Sequence, residues 1–244
     1  METKERSDIV KAFMKSVHDI VHCPYCTDCQ KEGMRCREMK YPGFIGKRYA
    51  KFVVVGHFPA NNKQYIEREN AFRPYYEAFK NSQFSDALDS ICYENFIAYN
   101  EALSNYMREW PRGYFVSEKE REFLNYDIDN IAFINITKCK FQNSEKQRDD
   151  NAVKMIDAYC FNKHFINQIK ILNPDHIVCV NKKTKMILEN LYPEIKKFNI
   201  AAGNGSQSVH DLAKILEDVV PVFKNIDRNA RTVEQKVIVR RNRI

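Results

Sequence analysis

The sequence predicts an α/β fold. It reads as three layers, α/β/α, around a central mostly parallel sheet, with an inserted helical lobe. Three observations predict this. Runs rich in β-branched and aromatic residues, "KFVVVG" at 51–56, "IAFINIT" at 131–137 and "HIVCVN" at 176–181, read as buried strands bounded by turn residues. Helical patterns separate and follow them, and strands alternating with helices imply a parallel sheet covered on both faces. The two most unusual polar loops, "GHFPANN" and "NITKCK", fall at the carboxyl ends of the first two strands, where such sheets bind ligands.

The elements follow in order. Residues 7–22, "SDIVKAFMKSVHDIVH", place Ile9, Val10, Phe13, Met14, Val17, Ile20 and Val21 at helical spacing, with Ser7 as the N-cap. This helix leads into "HCPYCTDCQKEGMRC", which carries Cys23, Cys26, Cys29 and Cys36 in one short polar loop. Thiolates at that spacing point to a metal. Two arrangements are open: a zinc site closed by these four cysteines alone, or half of a centre whose other ligands lie far along the chain. After the strand at 51–56, residues 63–126 are aromatic-rich and mostly helical, long for a connection between neighbouring strands. The strand at 131–137 is followed by a helical pattern, "NAVKMIDAYCFNKHFINQIKIL". "NPD" then introduces the third strand, and "KKTKMILENLY" reads as the helix after it. Cys92 and Cys179 read as ordinary buried thiols.

We expect one domain over 1–225, with 63–126 as its inserted lobe, and a basic tail over 226–244. The chain has 244 residues, is 44% hydrophobic and holds only 7 glycines, so a sizeable core is available and long linkers are not expected. No apolar run approaches the roughly 20 residues that span a bilayer. The charged start, "METKERSDIV", does not read as a signal peptide. A soluble, cytoplasmic monomer is the expectation, with its eight cysteines as metal ligands and buried thiols rather than disulfides. The net charge of +7 suits a polyanion. The tail concentrates Arg228, Arg231, Lys236, Arg240, Arg241 and Arg243, either a phosphate-contacting arm or a solvated end.

Taken together, "CPYC", "VVVGHFP", "RPYY", "INITKC", a distant Cys160 and a strand after "NPD" resemble the uracil-DNA glycosylase superfamily, most closely its iron–sulfur branch, family 4. The resemblance covers roughly residues 7–215 and rests on the order of the motifs. It implies an enzyme that flips a base out of DNA and hydrolyses its N-glycosidic bond. It also implies a [4Fe–4S] cluster held by one cysteine pair of the N-terminal loop, most like Cys23 and Cys26, together with Cys139 and Cys160. Zinc is the alternative metal. Asn135 matches the base-reading Asn of N-x-x-K-C; an amide offers the donor and acceptor that a pyrimidine edge needs. The same position also suits a residue that caps a turn. Tyr75 matches the stacking Phe of R-P-F, or packs in the core. Lys138 contacts phosphate or is solvated.

Two loops depart from the family. "GHFPANN" has His57 and Phe58 where the iron–sulfur branch has Glu and Ala, and a phenyl ring cannot activate water. The residues left to do so are His57, Asn61 and Asn62, or the substrate itself. A protonated His57 can stabilise an anionic leaving base; the other role for it is a loop histidine bonded to backbone. Near the C-terminus, "AAGNGSQSVHDLAKIL" has Asn204 where the family has the His of a His-Pro-Ser-like loop, with His210 available from a shifted position or as an ordinary first-turn helix residue. The segment between Gly56 and Asn135 is longer than in that branch. These departures point away from plain uracil and towards a bulkier modified pyrimidine.

Overall fold

The computed structural model describes residues 3–23, 39–57, 69–108, 128–139, 159–180, 182–197 and 199–202. Its centre is a sheet of five strands: β1 (Phe44–Ile45), β2 (Phe52–Gly56), β3 (Ile131–Asn135), β4 (His176–Cys179) and β5 (Asn199–Ala202). The spatial order is β1-β3-β2-β4-β5. β3, β2, β4 and β5 run parallel, and β1 pairs antiparallel with β3. The protein is therefore α/β with a mixed, mostly parallel sheet. All five residues of β2 and all five of β3 are buried, which is why both read as continuous apolar runs rather than alternating ones.

Helix α1 spans Thr3–Val21, so it starts one turn before Ser7, with Glu5 in its first turn. A carboxylate there favours the positive end of the helix dipole. Its apolar stripe, Phe13, Met14 and Val17, is fully buried, and Phe13 meets Phe96 edge-on with ring centroids 6.5 Å apart. Two helices lie between β2 and β3: α2 (Arg73–Asn81), with Pro74 in its first turn, and α3 (Ile91–Arg108). The described part of the predicted lobe does not stand apart. Phe72, Tyr76, Phe79, Phe96, Tyr99 and Leu103 share one buried cluster with Val53, Val54 and Ile134 of the sheet.

Asn100 of α3 closes the sheet on one side. Its Oδ1 accepts from Ile45 N at 2.9 Å and its Nδ2 donates to Ile45 O at 2.8 Å. Both outward backbone groups of the edge residue are thereby satisfied. The chain enters β1 through Gly43 at φ +101, where a Cβ would sit 2.1 Å from the Phe133 carbonyl oxygen. Only glycine fits there.

Cys160 precedes a π-helical turn, Phe161–Phe165, that runs into α4 (Ile166–Leu172). Asn173 ends α4 in the left-handed region at φ +41. The "NPD" turn then fastens to the sheet, with Asp175 N donating to Lys51 O at 2.8 Å. Helix α5 (Lys182–Leu191) links β4 to β5. Among the described residues, no helix is long and apolar enough to cross a membrane.

Candidate functional site

Gly56 and Asn135 end neighbouring parallel strands in register. The ladder continues past them, with Ile136 N donating to Gly56 O and Thr137 N to His57 O, both at 2.9 Å. His57 and Asn135 are thus held side by side at the carboxyl end of the sheet, and both are buried. The Asn135 side chain lies over Gly56: a Cβ on Gly56 would be 2.2 Å from Asn135 Oδ1. Glycine at 56 therefore clears the space that the amide occupies. Among the described residues the Asn135 amide makes no hydrogen bond; the one Asn135 contact at this end is through its backbone carbonyl. The amide does not cap a turn. It is a buried donor and acceptor held ready beside His57.

The next residues turn inward. Lys138 is 1% exposed, so it is neither solvated nor positioned for phosphate. Its Nζ donates to the Asn135 carbonyl and to Gln168 Oε1 of α4, the latter at 2.5 Å, and stands 5.6 Å from the Phe165 ring centroid. Gln168 is fixed in turn by donating from Nε2 to Pro42 O at 2.8 Å. Burial pushes the Lys138 ammonium down to about 7, and the nearby Cys160 thiol acts in the opposite sense. Burial lowers the His164 ring to about 3, with Lys138, Lys163 and Lys40 adding to the shift, so the imidazole is neutral. Its Nε2 has no hydrogen-bond partner among the described residues.

A second buried lysine holds the end of α1 and Cys23. Lys40 Nζ donates to Val21 O at 3.2 Å and to Cys23 O at 3.1 Å, a cation at the negative end of α1. The following residue, Tyr41, donates from its backbone N to Lys138 O at 2.8 Å. Cys139 comes next along the chain, and both Cys139 and Cys160 are buried. Hydrogen bonds thus link the backbone of Cys23, through Lys40 and Tyr41, to that of Lys138, the residue before Cys139. No carboxylate pairs with either lysine among the described residues. Buried thiols at 139 and 160 are the type of donor that a thiolate-bound metal centre would need. Among the described residues, no three His, Cys, Asp or Glu side chains converge closely enough to hold a single ion.

The other expected residues distribute as follows. Phe58, Asn61, Asn62, Cys26, Cys29, Cys36, Asn204, His210 and the basic tail over 226–244 lie outside the described residues. Tyr75 is 46% exposed on α2, facing a surface groove with Ala98, Ala102 and Tyr106 of α3. Its neighbour Tyr76 takes the core position instead, and no contact joins Tyr75 to His57 or Asn135 among the described residues. Cys92 and Cys179 are buried as expected. Sequence reasoning missed Lys40, His164 and Gln168. A lysine reads as surface, and only the Gln168 position on the inner side of a helical pattern hinted at burial. No protein-family model matches the chain, and no curated protein does either.

Proposed function

We propose that the chain is a DNA glycosylase that flips a base from DNA and hydrolyses its N-glycosidic bond to leave an abasic site. The observation that carries this reading is the Asn135 amide: buried, without a hydrogen bond among the described residues, and seated over Gly56 beside His57 at the carboxyl ends of two parallel strands. A fixed amide that presents both donor and acceptor suits the Watson–Crick edge of a flipped pyrimidine. In this mechanism Asn135 reads the base and His57 stabilises the departing anion. Asn61, Asn62, Asn204 and His210 are the candidates for orienting water and holding the base, with Phe58 and Tyr75 against its face. The architecture is taken as three-layered. The β2-to-β3 crossover leaves β2 on one side and the crossovers to β4 and β5 on the other, and right-handed connections then place helices on both faces.

Cys23, Cys26, Cys139 and Cys160 would hold a [4Fe–4S] cluster, or zinc in the alternative, which supplies a structural clasp and negative charge. The two buried lysines beside these cysteines support an anionic centre. DNA is the partner, consistent with the net charge of +7, and the protein acts as a cytoplasmic monomer. The preferred base is a modified pyrimidine, such as the hydroxymethylated or glucosylated cytosine of phage DNA, which makes this an anti-phage activity. The support is the departure of "GHFPANN" and "GNGS" from the repair pattern. Incubation with DNAs bearing uracil, 5-hydroxymethylcytosine or glucosylated cytosine tests this by abasic-site formation. Cleavage of the bulky bases is expected. Efficient excision of uracil alone would return the protein to base-excision repair, and no abasic sites with any substrate would leave a DNA-binding relative without catalysis.

A further inference from the structure

A cleft of about 310 Å³ opens at the β1 edge of the sheet, lined by the first turns of α1, the end of β1 and one face of α3. It is separate from the candidate site. Gly46, in its wall, donates its N–H to Ile131 O at 2.7 Å, and Ile131 opens the strand that Asn135 closes. We propose that this cleft binds a small amphipathic anion: an apolar body the size of a single ring, bearing one phosphate or carboxylate.

The body is set by the walls. Phe96 is buried beneath the cleft, while Val10 and Ile97 are only half-buried, so apolar surface remains there for a ligand to cover. The head group is set by a charge imbalance. Lys47 Nζ and Glu101 Oε1 satisfy each other at 2.8 Å, and Glu5, beside Arg6 in the chain, is turned to Lys51 at 3.5 Å. Arg6 is left over. It is half-buried in the cleft and makes no hydrogen bond or ion pair among the described residues. A guanidinium fork matches the paired oxygens of a carboxylate or phosphate. Asn100 adds a second polar group from the wall and is only 7% exposed. Ile45 engages its Oδ1 and one hydrogen of Nδ2, which leaves the other Nδ2 hydrogen for a ligand. An apolar recess with a few fixed polar groups is the usual build of a small-molecule site, and this volume lies at the small end of that class. A single uncompensated cation suits one head group, whereas a polyanion is gripped by a row of them.

Amide NMR spectra of the full chain, titrated with phenyl phosphate, phenylacetate, benzyl alcohol and inorganic phosphate, test this. At least one of the two aromatic anions should shift the signals of residues 6–10, 45–47 and 96–101 saturably in the millimolar range. Comparing those two identifies the head group. Benzyl alcohol lacks the charge and inorganic phosphate lacks the body, so each should bind roughly tenfold more weakly or worse. Arg6→Gln should weaken the better anion by roughly tenfold and leave benzyl alcohol unchanged. Val10→Phe fills the cleft while keeping Arg6 and should abolish the saturable shifts; if it fails to fold, Arg6→Gln on the surface decides alone. The proposal is overturned if neither aromatic anion saturates these signals, or if benzyl alcohol binds as well as they do. It is equally overturned if inorganic phosphate matches phenyl phosphate, which would mean an adventitious ion only, or if Arg6→Gln binds the anions as the wild type does.

Discussion

The two ends of the central sheet are built differently. At the amino ends of the strands, backbone groups and one tyrosine hydroxyl fasten the fold. Lys51 O accepts from both Asp175 N and His176 N, Ala50 N donates to Asn130 O at 2.8 Å, and the Tyr49 hydroxyl donates to Leu172 O at 3.0 Å. At the carboxyl ends, Asn135, Lys138, Lys40 and His164 are just as buried. Yet His164 Nε2 there lacks a partner among the described residues, the Asn135 amide makes no hydrogen bond among them, and no carboxylate pairs with either lysine; at the amino ends His176 Nδ1 is likewise without a partner among them. Burial without full satisfaction costs stability. The carboxyl ends carry more of it, two buried lysines included, and that difference marks them as the candidate site.

Four measurements break or sharpen that contrast. The largest effect is expected from Cys139→Ser or Cys160→Ser. Each should lose bound iron and the broad absorption near roughly 400 nm, and should lower unfolding stability, since a bound metal contributes its binding free energy to the folded state. Iron analysis and thermal melts check this; full cluster content and unchanged melting in both variants would sink the assignment. Asn135→Ala should slow base excision by roughly 1–3 kcal/mol of transition-state stabilisation, while the melt barely moves because the amide has no internal hydrogen bond to lose. Gly56→Ala should reproduce the defect by displacing that amide. Single-turnover kinetics indistinguishable from wild type would remove Asn135 from the pocket.

The opposite end should answer in the opposite way. Tyr49→Phe should cost about 1 kcal/mol of stability by stranding the Leu172 carbonyl and leave excision untouched; a kinetic defect without a stability defect would erase the distinction between the ends. The smallest effect concerns His18. Burial, together with the neighbouring His22, holds its folded-state pKa below the ordinary 6.5. The unfolded chain therefore binds the proton more readily, so stability is full above about pH 6.5 and declines below it. His18→Gln should flatten that acid limb in denaturant titrations, and an unchanged limb would assign it to other groups.

What the sequence revealed followed physical period and residue type. β2, β3 and β4 were visible because strands buried on both faces are unbroken β-branched runs. β1 was not, because two residues, Phe44 and Ile45, carry no period, and they are defined by pairing with Phe133 and Ala132 of β3, far along the chain. β5, "NIAA", lacks the composition of a strand and is defined by pairing with β4. At the site, Asn135 was legible from its motif and its place at a strand end, but its unbonded amide was not. Lys138 shows the limit most clearly. Nothing in "NITKCK" says that the lysine folds inward, since the acceptor that draws it there, Gln168, belongs to a helix thirty residues later.

The π-helical turn at Phe161–Phe165 bears on how this protein can vary in length. A π turn holds one residue more than the α-helical path would need. Deleting one residue within it would return the helix to regular α form and leave everything beyond facing nearly as before, whereas deleting one from the α-helical residues that follow would turn what lies beyond by roughly 100°. In the second case Gln168 would face away from Lys138 though every side chain of the site survived. Gaps along 161–165 and gaps along 166–168 are therefore different matters. The position of a missing residue, as much as its identity, decides whether the site survives.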